Sequence, residues 1–141
     1  MAISLVVGGT GLVGSHVLKQ LALVEECPVA ILRRRPNDLP DNVKAIEVDF
    51  DELLTRGDLP QCDHLYLCLG TTIKTAGSQA AFRNVDFNYC LGIAQMAAKS
   101  GASVISLVSS VGADANSKSF YLRTKGQLEE AIKSLNFSSI N

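Results

Sequence analysis

Tyr121 and Lys125 are the two residues of this sequence whose types and spacing best suit acid–base chemistry. A separation of four on a helix places both side chains on one face, within reach of one ligand. A phenol alone is a poor acid–base catalyst near neutral pH, but an adjacent ammonium stabilises the phenolate. The pair therefore predicts proton transfer at the oxygen of a carbonyl or alcohol, with Tyr121 as acid–base residue and Lys125 as its activator.

Two serines offer a further polar group for the same oxygen. Ser109 and Ser110 end an apolar run that begins at Ala102 and is typical of a buried strand. A hydroxyl at that strand end would hold the oxygen on which the pair acts, and either serine fits. A Tyr-x-x-x-Lys spacing alone also suits an ordinary surface helix, so its meaning depends on the motifs before it.

A glycine cluster near the N-terminus is the first of those motifs. It follows a short apolar run and precedes a helical pattern, which predicts strand, tight turn and helix. In a dinucleotide site the glycines serve the turn, the approach of the backbone to the pyrophosphate, and helix packing, whereas a purely structural turn is the alternative. The pyrophosphate would rest on N–H groups at the helix N-terminus. The predicted cofactor contacts are Gly8, Gly9, Thr10, Gly11, Leu12, Val13 and Gly14.

The second apolar run, 28–32, ends in three arginines: Arg33, Arg34 and Arg35. In a dinucleotide fold this strand end meets the adenosine ribose, where an acidic residue binds the 2′-hydroxyl and arginine accommodates a 2′-phosphate. Guanidinium is a bidentate phosphate partner. The run therefore favours NADP over NAD as cofactor, against the alternative of a solvated basic loop.

Two later segments add predicted cofactor contacts. Asp49 and Phe50 follow the third predicted strand, where they would lie near the adenine, although an aspartate there is equally typical of a helix N-cap. Gly70 and Thr71 follow the fourth strand and would contact the ribose and nicotinamide. Lys125 would also bond that ribose. A long helix is predicted from Ser78 to about Ser100, with an apolar stripe interpreted as core packing: Phe82, Val85, Tyr89, Ile93, Met96 and Ala97.

Strand and helix patterns alternate five times along the chain. This predicts an α/β fold, a doubly wound parallel Rossmann sheet with strand order 3-2-1-4-5 and right-handed crossovers. Residues 136–141 look like the opening of a sixth strand cut short. The chain is accordingly expected to form one NAD(P)-binding domain over residues 1–141.

Composition excludes several classes of function. The chain has 141 residues, 47% hydrophobic and 19% charged, and a net charge of −1, which suits a soluble domain and makes nucleic acid a poor partner. No apolar stretch approaches the length that spans a bilayer, so no membrane association is expected. The cysteines and histidines lack metal-ligand spacing, so we predict no metal. Scattered free thiols suggest a reducing compartment, and a cytoplasmic location is predicted.

Three stretches resemble the Tat-interacting-protein-like family of atypical short-chain dehydrogenases/reductases and its bacterial relatives. They are Cys68-Leu69-Gly70-Thr71-Thr72, Ser109-Ser110-Val111-Gly112-Ala113-Asp114 and Tyr121-Leu122-Arg123-Thr124-Lys125-Gly126. The resemblance implies that Arg34 and Arg35 face the 2′-phosphate of NADPH and that Leu69 and Gly70 line the cofactor. It also implies a domain like those of nucleoside-diphosphate-sugar epimerases.

Members of that family continue well beyond the length of this sequence. The resemblance therefore implies that the C-terminal substrate-binding part is missing, and an exposed sheet edge would favour a homo-oligomer. One hypothesis is an NADP-dependent oxidoreductase that acts on an unknown small carbonyl or alcohol. The alternative is an NADPH-binding redox sensor or scaffold with little turnover. Only the enzyme should consume NADPH in a substrate-dependent way.

Overall fold

The computed structural model describes residues 2–56 and 58–141, whose strands form one parallel six-stranded sheet. The strand order is β3-β2-β1-β4-β5-β6, which confirms the predicted Rossmann arrangement and the sixth strand. The strands are β1 Ser4–Val7, β2 Val29–Leu32, β3 Lys44–Glu47, β4 His64–Leu67, β5 Val104–Leu107 and β6 Ser139–Ile140.

Helices cover both faces of the sheet. The helical segments are α1 Leu12–Val24, α2 Phe50–Arg56, α3 Ile73–Ala76, α4 Gln79–Arg83, a π-helical segment Asn84–Tyr89, α5 Cys90–Lys99 and α6 Phe120–Lys133. On one face, Val6 and Ala30 of the sheet pack against α1 through Leu18. On the other, Leu5 packs in a larger core with α2, α5 and α6. The alternation of β1 side chains between these cores explains why the whole strand is apolar apart from its first residue.

The predicted long helix from Ser78 is interrupted. Ser78 does cap α4, since its hydroxyl accepts a hydrogen bond from the N–H of Ala81 at 3.0 Å. The π-helical segment then follows, and α5 begins only at Cys90. A π turn contains one more residue than an α turn, so it breaks the 3.6-residue stripe. Phe82, Ile93 and Ala97 are buried as predicted, whereas within the π segment Asp86 is buried and Val85 and Tyr89 are half-buried.

Strand β5 is shorter than predicted. It ends at Leu107, and the N–H of Val108 makes the last bond to β4, donating to the Leu67 carbonyl at 3.1 Å. The two serines therefore lie in the segment that leaves the sheet. Beyond β5, the two-residue strand β6 forms the edge of the sheet and is exposed. Association of copies through this edge stays a prediction.

Within residues 2–56 and 58–141, no helix combines the length and apolarity needed to cross a membrane.

Candidate functional site

A cleft of about 680 Å³ opens at the carboxyl ends of β1, β2 and β4. This is the edge at which open parallel sheets bind ligands, beside the point where the strand order reverses. The cleft brings together the glycine turn, the arginines and the segment after β4. Its lining residues are Gly8, Thr10, Leu32, Arg33, Arg34, Arg35, Pro36, Phe50, Leu69, Gly70, Thr71, Thr75, Ala76, Ala81, Val85 and Tyr89.

At two glycines of the turn, close packing of the protein backbone leaves no room for a side chain. Gly8 has φ +89°, and a β carbon there would lie 2.6 Å from the carbonyl carbon of Cys68. Gly14 lies in α1, where a β carbon would overlap the Gly8 carbonyl oxygen. These contacts hold the start of α1 against the turn and the turn against the end of β4.

Gly11 is different, because a β carbon there would meet protein only at 3.7 Å, at the Gly8 carbonyl oxygen. Gly11 is the N-cap of α1, and no side chain caps this helix. The helix has 13 residues, and its first N–H groups favour an anion. Leu12, the first residue of α1, is 78% exposed. The open cradle fits the pyrophosphate of a dinucleotide.

Alanine substitutions at these glycines should separate folding from binding. Gly14→Ala is expected to lower the free energy of unfolding by about 1–3 kcal/mol, because backbone must move to admit the methyl group. Gly11→Ala should cost less than about 1 kcal/mol, as an N-cap change, yet weaken dinucleotide binding. Urea denaturation and an NADPH fluorescence titration measure the two effects. Unchanged binding by Gly11→Ala would contradict a pyrophosphate site at the turn.

The three arginines stand exposed at the end of β2 and line the cleft. The backbone N–H of Arg35 donates to Glu47 Oε1 at 3.2 Å, which fixes this segment to the end of β3. Across residues 2–56 and 58–141, neither of the two ion pairs involves any of the three guanidinium groups. Their charges are therefore available to an anionic ligand.

Asp49 makes the contact of a helix cap. Its Oδ1 accepts a hydrogen bond from the N–H of Glu52 at 3.1 Å, at the start of α2. The N-cap interpretation of Asp49 is thus the one that the structure shows, while its adenine contact stays a prediction. Asp49 lines an adjoining depression of about 580 Å³, which shares Arg33 and Phe50 with the main cleft.

Tyr89 and Val85 line the cleft; of the two, which the helical stripe predicted to be core residues, Tyr89 also packs against the core. Tyr89 stacks on Phe50 with ring centroids 5.6 Å apart, and its hydroxyl donates to Asp51 Oδ1 at 2.7 Å. Burial raises the pKa of Tyr89, and the hydrogen bond to Asp51 raises it further. Tyr89 is therefore a neutral aromatic wall of the cleft. The π turn that rotates it has no signal in apolar periodicity.

Tyr121 and Lys125 lie on α6, as predicted. Lys125 Nζ is 5.6 Å from the centroid of the Tyr121 ring, so the two side chains share a face. The Tyr121 ring also packs against Phe82, with centroids 5.3 Å apart. Neither residue lines the 680 Å³ cleft directly.

The two serines differ in their partners. Ser109 Oγ donates to Glu129 Oε2 at 2.5 Å, one turn beyond Lys125 on α6. Ser110 Oγ has only a long contact of 3.5 Å with the carbonyl oxygen of Val111. Within residues 2–56 and 58–141, Ser110 is thus the serine with the weaker hydrogen-bond contact of the two.

The segment after β5 packs tightly on α6. A β carbon at Gly126 would overlap the backbone of Asp114 and Ala115, and the Asp114 N–H donates to the Leu122 carbonyl at 3.1 Å. This explains why a glycine follows Lys125, and it ties the serine segment to the helix that carries the tyrosine.

Asp86 connects the Tyr–Lys pair to the cleft, although no motif in the sequence predicted Asp86 as a site residue. Lys125 Nζ donates to Asp86 Oδ1 at 2.5 Å, and the N–H of Thr71 donates to Asp86 Oδ2 at 2.9 Å. Asp86 is fully buried and Lys125 is 6% exposed. An aspartate placed between two apolar residues, Val85 and Phe87, was the available signal.

His64 has no part in this site. Its Nε2 shares a hydrogen bond of 2.8 Å with Ser106 Oγ, its ring stacks on Tyr66, and burial lowers its pKa. Among residues 2–56 and 58–141, no group of three histidine, cysteine or acidic side chains is placed to hold a metal ion.

A parallel 3-2-1-4-5-6 sheet with a glycine turn beneath an uncapped helix defines the dinucleotide-binding Rossmann class. Over residues 8–137 the chain matches the NAD(P)H-binding family, and it belongs to that family. The family match confirms the NAD(P)-binding Rossmann domain that the resemblance implied.

Curated proteins share about a third of the aligned residues with this chain. The chain is 36% identical to "Protein FMP52, mitochondrial" of Saccharomyces cerevisiae and 34% identical to that of Coccidioides immitis. These matches cover 96% and 97% of this chain, and 61% and 62% of the relatives. The chain thus spans about three fifths of the length of the curated relatives it matches. The prediction of a cytoplasmic location is wrong by this comparison, because both relatives are named as mitochondrial.

Solved structures share the fold. MoeE5 in complex with UDP-glucose and NAD superimposes with a TM-score of 0.78 at 17% identity, over 97% of this chain and 52% of that chain. The Bordetella bronchiseptica enzyme WbmH in complex with NAD+ superimposes with a TM-score of 0.79 at 17% identity, over 99% of this chain and 54% of that chain.

Proposed function

We propose that this chain is the NADP-binding domain of a short-chain-type oxidoreductase that acts on a small carbonyl or alcohol. The observation that carries the proposal is the 680 Å³ cleft, whose wall combines the glycine turn with three arginines whose guanidinium groups form no ion pair within residues 2–56 and 58–141. The curated relatives are longer than this chain, so the substrate-binding part of the protein is proposed to lie in residues that they have in addition.

The cleft offers a place for each part of the cofactor. The N–H groups at the start of α1 would hold the pyrophosphate, and Arg34 with Arg35 would hold the 2′-phosphate. The stacked rings of Phe50 and Tyr89 would flank the adenine. Leu69, Gly70 and Thr71 would face the ribose and nicotinamide. When bound, such a dinucleotide supplies or accepts a hydride.

The chain's own residues would handle the proton. Tyr121 would donate it to the substrate oxygen in reduction and remove it in oxidation. The Lys125 ammonium, 5.6 Å from the centroid of the Tyr121 ring, would donate a hydrogen bond to the ribose of the bound dinucleotide. Ser110, which has no strong internal partner, would donate a hydrogen bond to the same oxygen.

NADP is proposed over NAD on the strength of the arginines. The solved structures of MoeE5 and WbmH contain NAD, but at 17% identity they share only the fold with this chain. The end of β2 carries no acidic side chain to bind a free 2′-hydroxyl, since the nearest acid along the chain is Asp38.

A titration with NADPH and with NADH tests this proposal. The wild-type chain is expected to bind NADPH at least about tenfold more tightly, from one or two charge-assisted hydrogen bonds to the 2′-phosphate. The double variant Arg34→Ala, Arg35→Ala should lose this preference and keep its affinity for NADH. Nicotinamide fluorescence or the ligand-induced rise in melting temperature measures the affinities for NADPH and for NADH.

The matched control removes the same charge elsewhere. Lys99→Ala with Lys133→Ala changes the net charge by the same two units, but both residues end helices that lead into the amino ends of strands. NADPH binding by this variant should equal that of wild type. If both double variants lose affinity equally, the arginines act only through net charge, and the 2′-phosphate site is overturned.

A second candidate is an NADPH-binding sensor or scaffold with little turnover. It is favoured by the placement of Tyr121, Lys125 and Ser110 outside the lining of the cleft. The thiols of Cys68 and Cys90 would not be its sensing device, because burial raises the pKa of Cys68 to about 11 and that of Cys90 to about 12. Sensing would instead depend on occupancy by the dinucleotide. Hydride transfer separates the two candidates.

A further inference from the structure

A buried carboxylate joins the two halves of the candidate site. Asp86 is fully buried, and each of its oxygens accepts one strong donor. Oδ1 accepts from the Lys125 ammonium on α6, and Oδ2 accepts from the N–H of Thr71, which lines the cleft. Burying a charge is costly unless it is paired and hydrogen-bonded, so this arrangement is fully compensated.

The contact also leaves Lys125 available to a ligand. An ammonium has three N–H donors, and Asp86 is the acceptor of one of them. Gly70 lies against the pair: a β carbon there would be 3.1 Å from Asp86 Oδ1 and 3.7 Å from Lys125 Nζ. The ammonium is thus held beside a residue that lines the cleft, with donors to spare.

The π turn is what places the carboxylate. Within the segment Asn84–Tyr89, Val85 and Tyr89 line the cleft while Asp86 is directed into the interior. A second contact fixes this segment to α6, because Arg83 Nη1 donates to Gln127 Oε1 at 2.6 Å. π turns often occur at functional sites, where they redirect single side chains.

We propose that Asp86 is a positioning residue for the nicotinamide and ribose half of the bound dinucleotide. It acts through Lys125 and through the segment after β4, holding the Lys125 ammonium beside Gly70, which lines the cleft. This inference rests on the proposed function, since it assigns a role within the same cofactor site. Asp86 does not itself touch the ligand.

The test compares two ligands that share the adenosine half. NADPH extends over the whole cleft, whereas adenosine 2′,5′-bisphosphate carries the 2′-phosphate but lacks ribose and nicotinamide on the other side. Asp86→Asn keeps the side-chain volume but cannot accept from Lys125 and Thr71 at once. We expect its affinity for NADPH to fall by about tenfold or more and its affinity for the bisphosphate to stay within about twofold of wild type.

Asp63→Asn is the control. Asp63 also accepts a backbone hydrogen bond, from Ile3, but lies at the amino end of β4, remote from the cleft. It should leave both affinities unchanged. An equal loss of both ligands in Asp86→Asn, or no loss of NADPH, would overturn the positioning role.

Gly70→Ala provides the test if Asp86→Asn does not fold. Its methyl group would lie 3.1 Å from Asp86 Oδ1, so the carboxylate must shift and carry the paired Lys125 ammonium with it, and the same selective loss of NADPH is expected. Retention of wild-type NADPH affinity would overturn the inference. A wild-type chain that binds neither ligand would instead overturn the proposed function, and the two failures are therefore distinguishable.

Discussion

Replacing Lys125 by methionine is expected to lower the free energy of unfolding by about 3–5 kcal/mol. Methionine preserves most of the buried length of the side chain but removes the ammonium. Asp86 would then be a buried carboxylate whose remaining donor is the N–H of Thr71. Urea denaturation of the chain near neutral pH measures the loss.

Two variants show whether charge is the cause. Lys133 lies on the same helix and pairs with Glu130 at 3.5 Å, but both side chains are about two thirds exposed, so Lys133→Met should change stability little. The double variant Asp86→Asn, Lys125→Met should be more stable than Lys125→Met alone, because no charge stays buried. If it is less stable, lost packing rather than an unpaired carboxylate explains the effect.

The fold was predictable because its signals are local and repeated. Apolar strands such as 4–7 and 29–32 are bounded by glycine, proline or charge, and helices lie between them. Right-handed crossovers then allow few topologies. The element bounds were less predictable. β5 ends at Leu107 because that residue pairs with Leu67, the last residue of the neighbouring strand β4. No feature of the 102–110 segment itself indicates where the strand ends.

Site residues could be predicted where their place follows from the local backbone or from the strand order. Gly8 and Gly14 are needed where chain segments touch, and the arginines lie at a strand end that the topology places in the cleft. Asp49 follows a strand and precedes a helix, so local sequence allowed both a cap and a ligand contact, and the structure shows the cap.

Side-chain partners from distant segments could not be predicted. Ser109 and Ser110 are equivalent in sequence, and Glu129, twenty residues later, is what engages one of them. Asp86 meets Lys125 across 39 positions, after a π turn that apolar periodicity cannot reveal. The connection between α6 and the cleft therefore emerges only when α6 packs beside the π segment.

Replacing Tyr121 by phenylalanine is expected to lower turnover by about 10²- to 10⁴-fold, the usual contribution of a positioned acid–base group. The ring would keep its packing against Phe82 and Lys125, so stability and NADPH affinity should match wild type. The measurement is the consumption of NADPH with small aldehydes and ketones that the wild-type chain reduces, alongside NADPH binding by fluorescence.

Tyr66→Phe is the matched control, since Tyr66 loses the same hydroxyl but packs on the α1 side of the sheet, away from the core that α6 covers. It should leave turnover unchanged. Equal turnover by Tyr121→Phe and wild type would mean that the proton comes from another group, and the Tyr–Lys assignment would fail. If wild type binds NADPH but reduces none of these carbonyls, even when the residues that the curated relatives have in addition are included in the protein, the sensor is favoured, because the cofactor site would then be intact without turnover.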